Sequence, residues 1–162
     1  MKTLLLLRHG KSSWKDASLT DHDRPLKKRG REAAKKMGQL LREQNLQPDH
    51  MLTSTAIRAS DTAVLAAKAG KFDCGLDQIA ALYHAEPSAM AAIVSQVSDD
   101  FERVLVVGHN PGFEEWLAKL IGHAEEFPTA ALAHLELPIK SWRELTPETK
   151  AGLKQIWRPA DL

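Results

Sequence analysis

Three features of the sequence predict a three-layer α/β/α sandwich with a largely parallel central sheet. Apolar strand-like runs alternate with helical patterns along the chain, the order that produces parallel strands joined by helical crossovers. Leu4-Leu5-Leu6-Leu7 and Val104-Leu105-Val106-Val107 are continuously apolar, which suits strands covered on both faces. Each run leads at once into a histidine and a turn: His9-Gly10 after the first, His109-Asn110-Pro111-Gly112 after the second. Open α/β sheets bind ligands outside the carboxyl ends of their strands, so both histidines fall where a site is expected.

The elements follow in order. A strand at residues 3–7 ends at Arg8-His9, and Gly10 is expected to turn the backbone sharply there. Lys11 to Pro25 is a long polar connection, a length that compact domains usually reserve for function. Pro25 precedes a helix over 26–44, with Ala33, Ala34, Met37, Leu40 and Leu41 on one face. Its other face is basic, from Lys27 to Lys36. Such a run is most often a solvated helix surface, with steering of an acidic partner as the alternative. A second strand covers 50–53 and a second helix 54–69, with Ser54 or Thr55 as its cap and Ala59, Ala63, Leu65 and Ala66 packing on the sheet. Residues 78–83 are predicted as a third strand and 88–97 as a third helix. The clearest strand is 103–108, followed by a helix over 111–121 with Asn110 as its cap. Residues 130–137, Trp142 and 154–157 are predicted as further strands, with turns near Pro138 and Pro147-Glu148. Trp116, Trp142 and Trp157 are expected in the core or covering a sheet edge.

Composition narrows the function classes. The 162 residues suffice for one domain, and 43% apolar content suffices for its core. Lys and Arg (22) nearly balance Asp and Glu (21), so nothing global points to nucleic acid or an anionic membrane as partner. Cys74 is the only cysteine and has no partner for an internal disulfide; it is read as a bystander rather than a reactive thiol. The apolar run at 4–7 is too short for a signal peptide or a membrane span, and a cytoplasmic protein is expected.

Arg8 beside His9 at a strand end suggests phosphate chemistry. Arg58 falls in the first turn of the second helix, where free N–H groups and the helix dipole already favour an anion. A cation there is mildly unfavourable by itself, so a bound anion explains it better. His109 repeats the position of His9 on another strand. His22, His50, His84, His123 and His134 are assigned no role.

The combined motifs resemble the histidine phosphatase, or phosphoglycerate mutase-like, superfamily. The match consists of Arg8-His9-Gly10, Ser54-x-x-x-Arg58-Ala59-x-x-Thr62-Ala63 and Gly108-His109, with Pro25-Leu26 and Gly30 at the start of the first helix. The small size, Asp23-Arg24-Pro25-Leu26 and Val107-Gly108-His109-Asn110-Pro111-Gly112 look most like the SixA-type phosphohistidine phosphatases. The resemblance implies one histidine phosphatase domain over residues 1–162, with His9 as nucleophile and Arg8, Arg58 and His109 around the phosphate. Residue chemistry agrees. A neutral imidazole can attack phosphorus and form a phosphohistidine, and two arginines give planar contacts to phosphate without a metal or cofactor. His109 is expected to titrate near neutrality.

The sequence departs from the mutase-like pattern in two places. Lys11 stands where the family often has glutamate, and Lys15 where it has an asparagine that helps hold phosphate; Ser12 or Lys15 is expected to take over that contact. Relatives acting on phosphate esters carry a glutamic acid after the third strand. Here Glu86 is the candidate, with Asp21 or Asp23 as others. A phosphoimidazole can leave as neutral imidazole once its other nitrogen is protonated, so a weak acid position suits a phosphohistidine on a protein. A phosphatase of small phosphate monoesters, with the same residues, is the alternative. An idle phosphate-binding module is a third reading. The partner expected is a phosphorylated protein or small phosphorylated substrate, with no nucleic acid and no membrane.

Overall fold

The computed structural model describes residues 1–162. Its strands are β1 (Lys2–Arg8), β2 (His50–Ser54), β3 (Gly75–Ile79), β4 (Arg103–Gly108), β5 (Leu132–Leu137) and β6 (Gly152–Trp157). They form one sheet in the order β3-β2-β4-β1-β5-β6. β1, β2, β3 and β4 run parallel, β5 lies antiparallel to β1, and β6 antiparallel to β5. The helices are α1 (Lys28–Glu43), α2 (Ile57–Gly70), α3 (Pro87–Val94) and α4 (Gly112–Ile121). None is long and apolar enough to cross a membrane.

The four leucines of β1 are fully buried because successive side chains enter opposite faces of the sheet. Leu4 and Leu6 join Val104, Val106, Phe113, Trp116, Phe127 and Trp142 in one core, together with residues of α3 and α4. Leu5 and Leu7 join Leu105, Val107, Met37, Leu41, Ala59 and Ala63 in the other, against α1 and α2. These two cores make the three predicted layers. The small residues of α2 let α1 approach closely: a Cβ on Gly38 would lie 2.1 Å from the Ala66 carbonyl oxygen.

Several local expectations shift. The third strand is Gly75–Ile79, and Ala80–Leu82 is a 3-10 turn rather than its continuation. The strand lies at the sheet edge with mostly exposed or half-buried residues, so no apolar run marked it. Trp142 is not in a strand; it opens a 3-10 turn capped by Ser141 and is fully buried, as is Trp116. Trp157 ends β6 at the sheet edge and is half-buried. Ser54 ends β2 instead of capping α2, whose cap position is Ala56 with no side-chain hydrogen bond. Pro111, not Asn110, occupies the cap of α4, although the Asn110 side chain still accepts from the Glu114 N–H at 3.3 Å. Gly10 serves a close approach: a Cβ there would lie 2.5 Å from the Gly30 carbonyl oxygen, and one on Gly30 would lie 2.1 Å from that of Lys11. The start of α1 is thereby held against the exit of β1.

Candidate active site

A cavity of about 750 Å³ opens at the carboxyl ends of β1, β2 and β4, and Arg8, His9, Arg58 and His109 all line it. Residues from three distant parts of the chain meet there because β1 is paired in register with β4, so Arg8 lies opposite Gly108. The His9 backbone is fixed on both sides. Its N–H donates to Gly108 (3.1 Å) and its carbonyl accepts from Ala130 (2.9 Å). The Gly10 N–H donates to the Thr62 hydroxyl at 3.0 Å, and that hydroxyl donates to the Arg58 carbonyl at 2.7 Å. This pair of bonds ties the β1 exit to the first turn of α2 and explains Thr62 in the motif.

His9 is 6% exposed, and its Nδ1 lies 2.7 Å from the Gly10 carbonyl oxygen. A carbonyl can only accept, so Nδ1 carries the proton and Nε2 keeps its lone pair. Burial, together with Arg58, Arg8 and Arg24, pushes the His9 pKa down to about 4, with the Gly10 bond opposing. The ring is neutral and nucleophilic at pH 7. His109 sits 5.1 Å away between ring centroids, tilted by 54°. Its pKa is pushed down to about 3 by burial, then by His9, Arg58 and His84. The expectation that it titrates near neutrality is therefore corrected: the ring is neutral at pH 7.

Ser54 engages one ring nitrogen of His109 and leaves the other free. The Ser54 hydroxyl oxygen accepts from the Ala56 N–H at 3.2 Å and lies 2.8 Å from His109 Nε2. Nδ1 is left with no protein partner, and it carries the ring proton wherever the Ser54 hydroxyl donates to Nε2. Arg8 Nε and Arg58 Nε are likewise buried and unpartnered. Three of the five buried side-chain polar atoms without a partner thus belong to residues around this cavity. Buried donors are nearly always satisfied, so their convergence marks a place for an oxyanion.

Asp21 organises the cations. Its carboxylate accepts from Arg58 Nη2 (3.0 Å), Arg24 Nε (3.1 Å) and the Tyr83 hydroxyl, and its backbone carbonyl from Arg58 Nη1 (2.6 Å). Tyr83 first, then Arg58 and Arg24, holds this carboxyl well below the usual range. Asp21 lines the pocket, yet it is kept ionised and is unsuited to donate a proton. Asp23 is exposed, faces His22 at 3.4 Å, and does not line the cavity.

The remaining assignments divide. Ser12 lines the cavity and accepts from Arg24 Nη1 at 2.7 Å. Lys15 does not line it. An antiparallel bridge between Ser12 and Leu26, with the Ser13 N–H donating to Pro25 at 2.8 Å, carries the chain past the pocket, and Lys15 lines a neighbouring cavity. Arg24, 7% exposed, occupies the place instead, under the ring of Trp14 at 3.5 Å. Glu86 is exposed at the cap of α3 and lines a separate cavity of about 260 Å³ that His84 and His109 share. His84, set aside in the sequence, lines the main pocket in a left-handed conformation (φ 59). Lys11 and Lys27 line it too. Proline after Arg24 and the Ser54 of the second motif were the available signals. Cys74 is half-buried, and its thiol pKa is pushed up by burial and by Asp49 and Asp73, so it is no thiolate nucleophile.

Comparison with known proteins places this geometry. The family model for the histidine phosphatase superfamily, branch 1, matches residues 4–82, and an uncharacterized chloroplastic protein of Arabidopsis thaliana is 34% identical over 152 residues, covering 88% of this chain and 70% of its own. The chain belongs to the histidine phosphatase superfamily. Among solved structures of this superfamily, a SixA-type protein from Agrobacterium tumefaciens superposes with a TM-score of 0.83 at 26% identity, covering 98% of both chains. A protein histidine phosphatase SixA complexed with tungstate shares the fold at the same TM-score and 20% identity, again over 98% of both chains. Superfamily membership and the SixA-like fold support phosphatase activity.

Proposed function

We propose that this protein is a metal-independent phosphatase that removes phosphate from phosphohistidine on another protein, through a phosphohistidine formed on His9. The observation that carries the reading is the His9 ring: neutral, with Nδ1–H bound to Gly10 and Nε2 holding its lone pair, beside three buried unpartnered donors. In the first step Nε2 forms a bond to phosphorus as the P–N bond of the substrate breaks. The bonding pair returns to a substrate imidazole already protonated on its other nitrogen, which leaves neutral. Arg8 and Arg58 meet the charge of the transferring oxygens, and the His109 Nδ1–H donates to them. The phosphorylated His9 ring carries positive charge, which the Gly10 carbonyl stabilises. Water then attacks phosphorus, and the Nε2–P pair returns to His9. The tungstate in the related SixA structure is a tetrahedral oxyanion of the kind this pocket would hold.

A phosphoramidate is favoured over an ester because the pocket's only carboxylate, Asp21, is held ionised and Glu86 lies outside it. An alkoxide leaving group needs a proton delivered in the transition state; a protonated phosphoimidazole does not. A cytoplasmic location, one functional domain over residues 1–162, and neither nucleic acid nor membrane as partner belong to the same proposal.

His9→Ala abolishes turnover and removes the trapped radiolabelled phosphate that the wild type shows in reactions quenched with alkaline denaturant, with the fold preserved by circular dichroism. Activity surviving in that variant ends the covalent mechanism. Sugar phosphates turned over far faster than a phosphohistidine protein would make the small-ester alternative correct, and binding of phosphate without turnover of either would favour the idle module.

A further inference from the structure

The charge of this chain is nearly balanced in total and strongly uneven in space. Nine of its 22 Lys and Arg line just two adjoining cavities, the active-site pocket and a second one of about 710 Å³, together with only two of its 21 Asp and Glu. Lys27 lines both. The second cavity is walled by Lys15, Lys28, Arg29 and Arg31 beside Glu32, and all of these side chains are exposed. α1 begins here with no acidic residue in its first turn, although a helix start favours anions and its dipole opposes these cations. That arrangement is mildly unfavourable for the isolated protein and becomes favourable with negative charge nearby. Trp14 stands at the seam. It is 72% exposed and lines the active-site pocket, while its neighbours Ser13 and Lys15 line the second cavity. One face of its ring covers Arg24, which fixes the ring in place and leaves an apolar surface outward.

We propose that this basic face, with Trp14 at its centre, is a docking surface for a protein whose phosphorylated histidine is flanked by acidic side chains. The inference rests on the phosphatase reading above and adds the partner's chemistry to it. A fixed exposed tryptophan among arginines is the residue pattern of an interface anchor, and a basic rim beside a phosphate pocket steers an acidic surface so that its phosphoryl group meets His9. A nucleic acid is disfavoured: the formal net charge is only +1, and Trp14 is the one exposed aromatic side chain at the face, whereas single strands need several stacking rings.

The test uses three synthetic peptides with a central phosphohistidine, flanked by Asp and Glu, by Ser and Gly, or by Lys. kcat/KM is measured at low and high salt for the wild type and for the variant Lys28→Glu/Arg29→Glu, which leaves the pocket untouched. In the wild type the acidic peptide is preferred, and in the variant its kcat/KM falls roughly tenfold or more at low salt with a flattened salt dependence. The neutral peptide changes little. Equal rates for the acidic peptide in both proteins overturn the docking surface while leaving the phosphatase reading intact. If no peptide is hydrolysed, that reading fails, and fluorescence anisotropy with an unphosphorylated labelled acidic peptide decides the docking alone: weaker binding to the variant supports it, equal binding overturns it. Displacement of that peptide by a single-stranded oligonucleotide at comparable charge concentration, with tighter binding of the oligonucleotide, would also overturn it.

Discussion

Acidification from pH 7 to pH 5 tests the electrostatics of the site without any substrate. His9 and His109 have folded pKa values pushed down to about 4 and about 3 from an ordinary 6.5. Over this interval the unfolded chain takes up nearly one proton at each histidine, and the folded chain takes up almost none. Stability from this source is complete above about pH 6.5 and is lost as the pH falls toward the folded values, because the unfolded state binds more protons throughout. The loss is about 2 kcal/mol per histidine, or about 4 kcal/mol for the pair between pH 7 and pH 5. Urea unfolding at the two pH values reads the difference directly, and His9→Gln and His109→Gln should each remove about half of it. Long-range proton–nitrogen correlation spectra of the histidine rings give the same quantities residue by residue, with both rings carrying their proton on Nδ1. An equal pH effect in wild type and both variants, or a His9 ring that titrates near 6.5, would refute the view that burial among arginines keeps the nucleophile neutral.

Arg58→Ala removes a charged fork from the transferring oxygens and is expected to cost about 2.7–4 kcal/mol in transition-state stabilisation, a 10²- to 10³-fold fall in kcat measured at saturating substrate. Ser54→Ala leaves His109 Nε2 without its partner; it is expected to cost about 1–3 kcal/mol of stability in urea unfolding and to release the proton from Nδ1 to either nitrogen in the ring spectra. Overnight treatment with a chelator followed by removal of the chelator should leave kcat/KM unchanged, since the proposed chemistry assigns the phosphate's charge to side chains; a rate restored only by added divalent metal would count against it.

Much of this protein is legible in its primary structure, and the reasons are local. Leu4–Leu7 and Val104–Val107 identify buried strands because only a sheet covered on both faces can hide such runs; Arg8, His9 and His109 stand out because they lie at the carboxyl ends of those strands, and Arg58 because it is a cation in the first turn of a helix. Ser12, expected to contact phosphate, lines the pocket, where its hydroxyl accepts from Arg24. The failures share one cause: they concern which residue reaches the pocket from a loop, a matter of long-range pairing rather than composition. Lys15 and Arg24 were both basic residues of one connection. The Ser12–Leu26 bridge, formed only when α1 packs against the β1 exit through Gly10 and Gly30, turns Lys15 away and buries Arg24. Glu86 is displaced for a similar reason, since the 3-10 turn at Ala80–Leu82 and the left-handed His84 carry it past the rim.

Taken alone, the order of residues determined the layers of the fold and singled out three side chains at strand ends and one at a helix start, because burial periodicity and position at the end of an element are properties of neighbouring residues. Tertiary structure decided the rest. Asp21 as the acceptor that joins Arg58 to the loop, Ser54 as the partner of His109 Nε2, and the depressed pKa values of both histidines arise from groups distant in the chain brought within a few ångströms, and around the two buried rings charge and hydrogen bonding act most strongly.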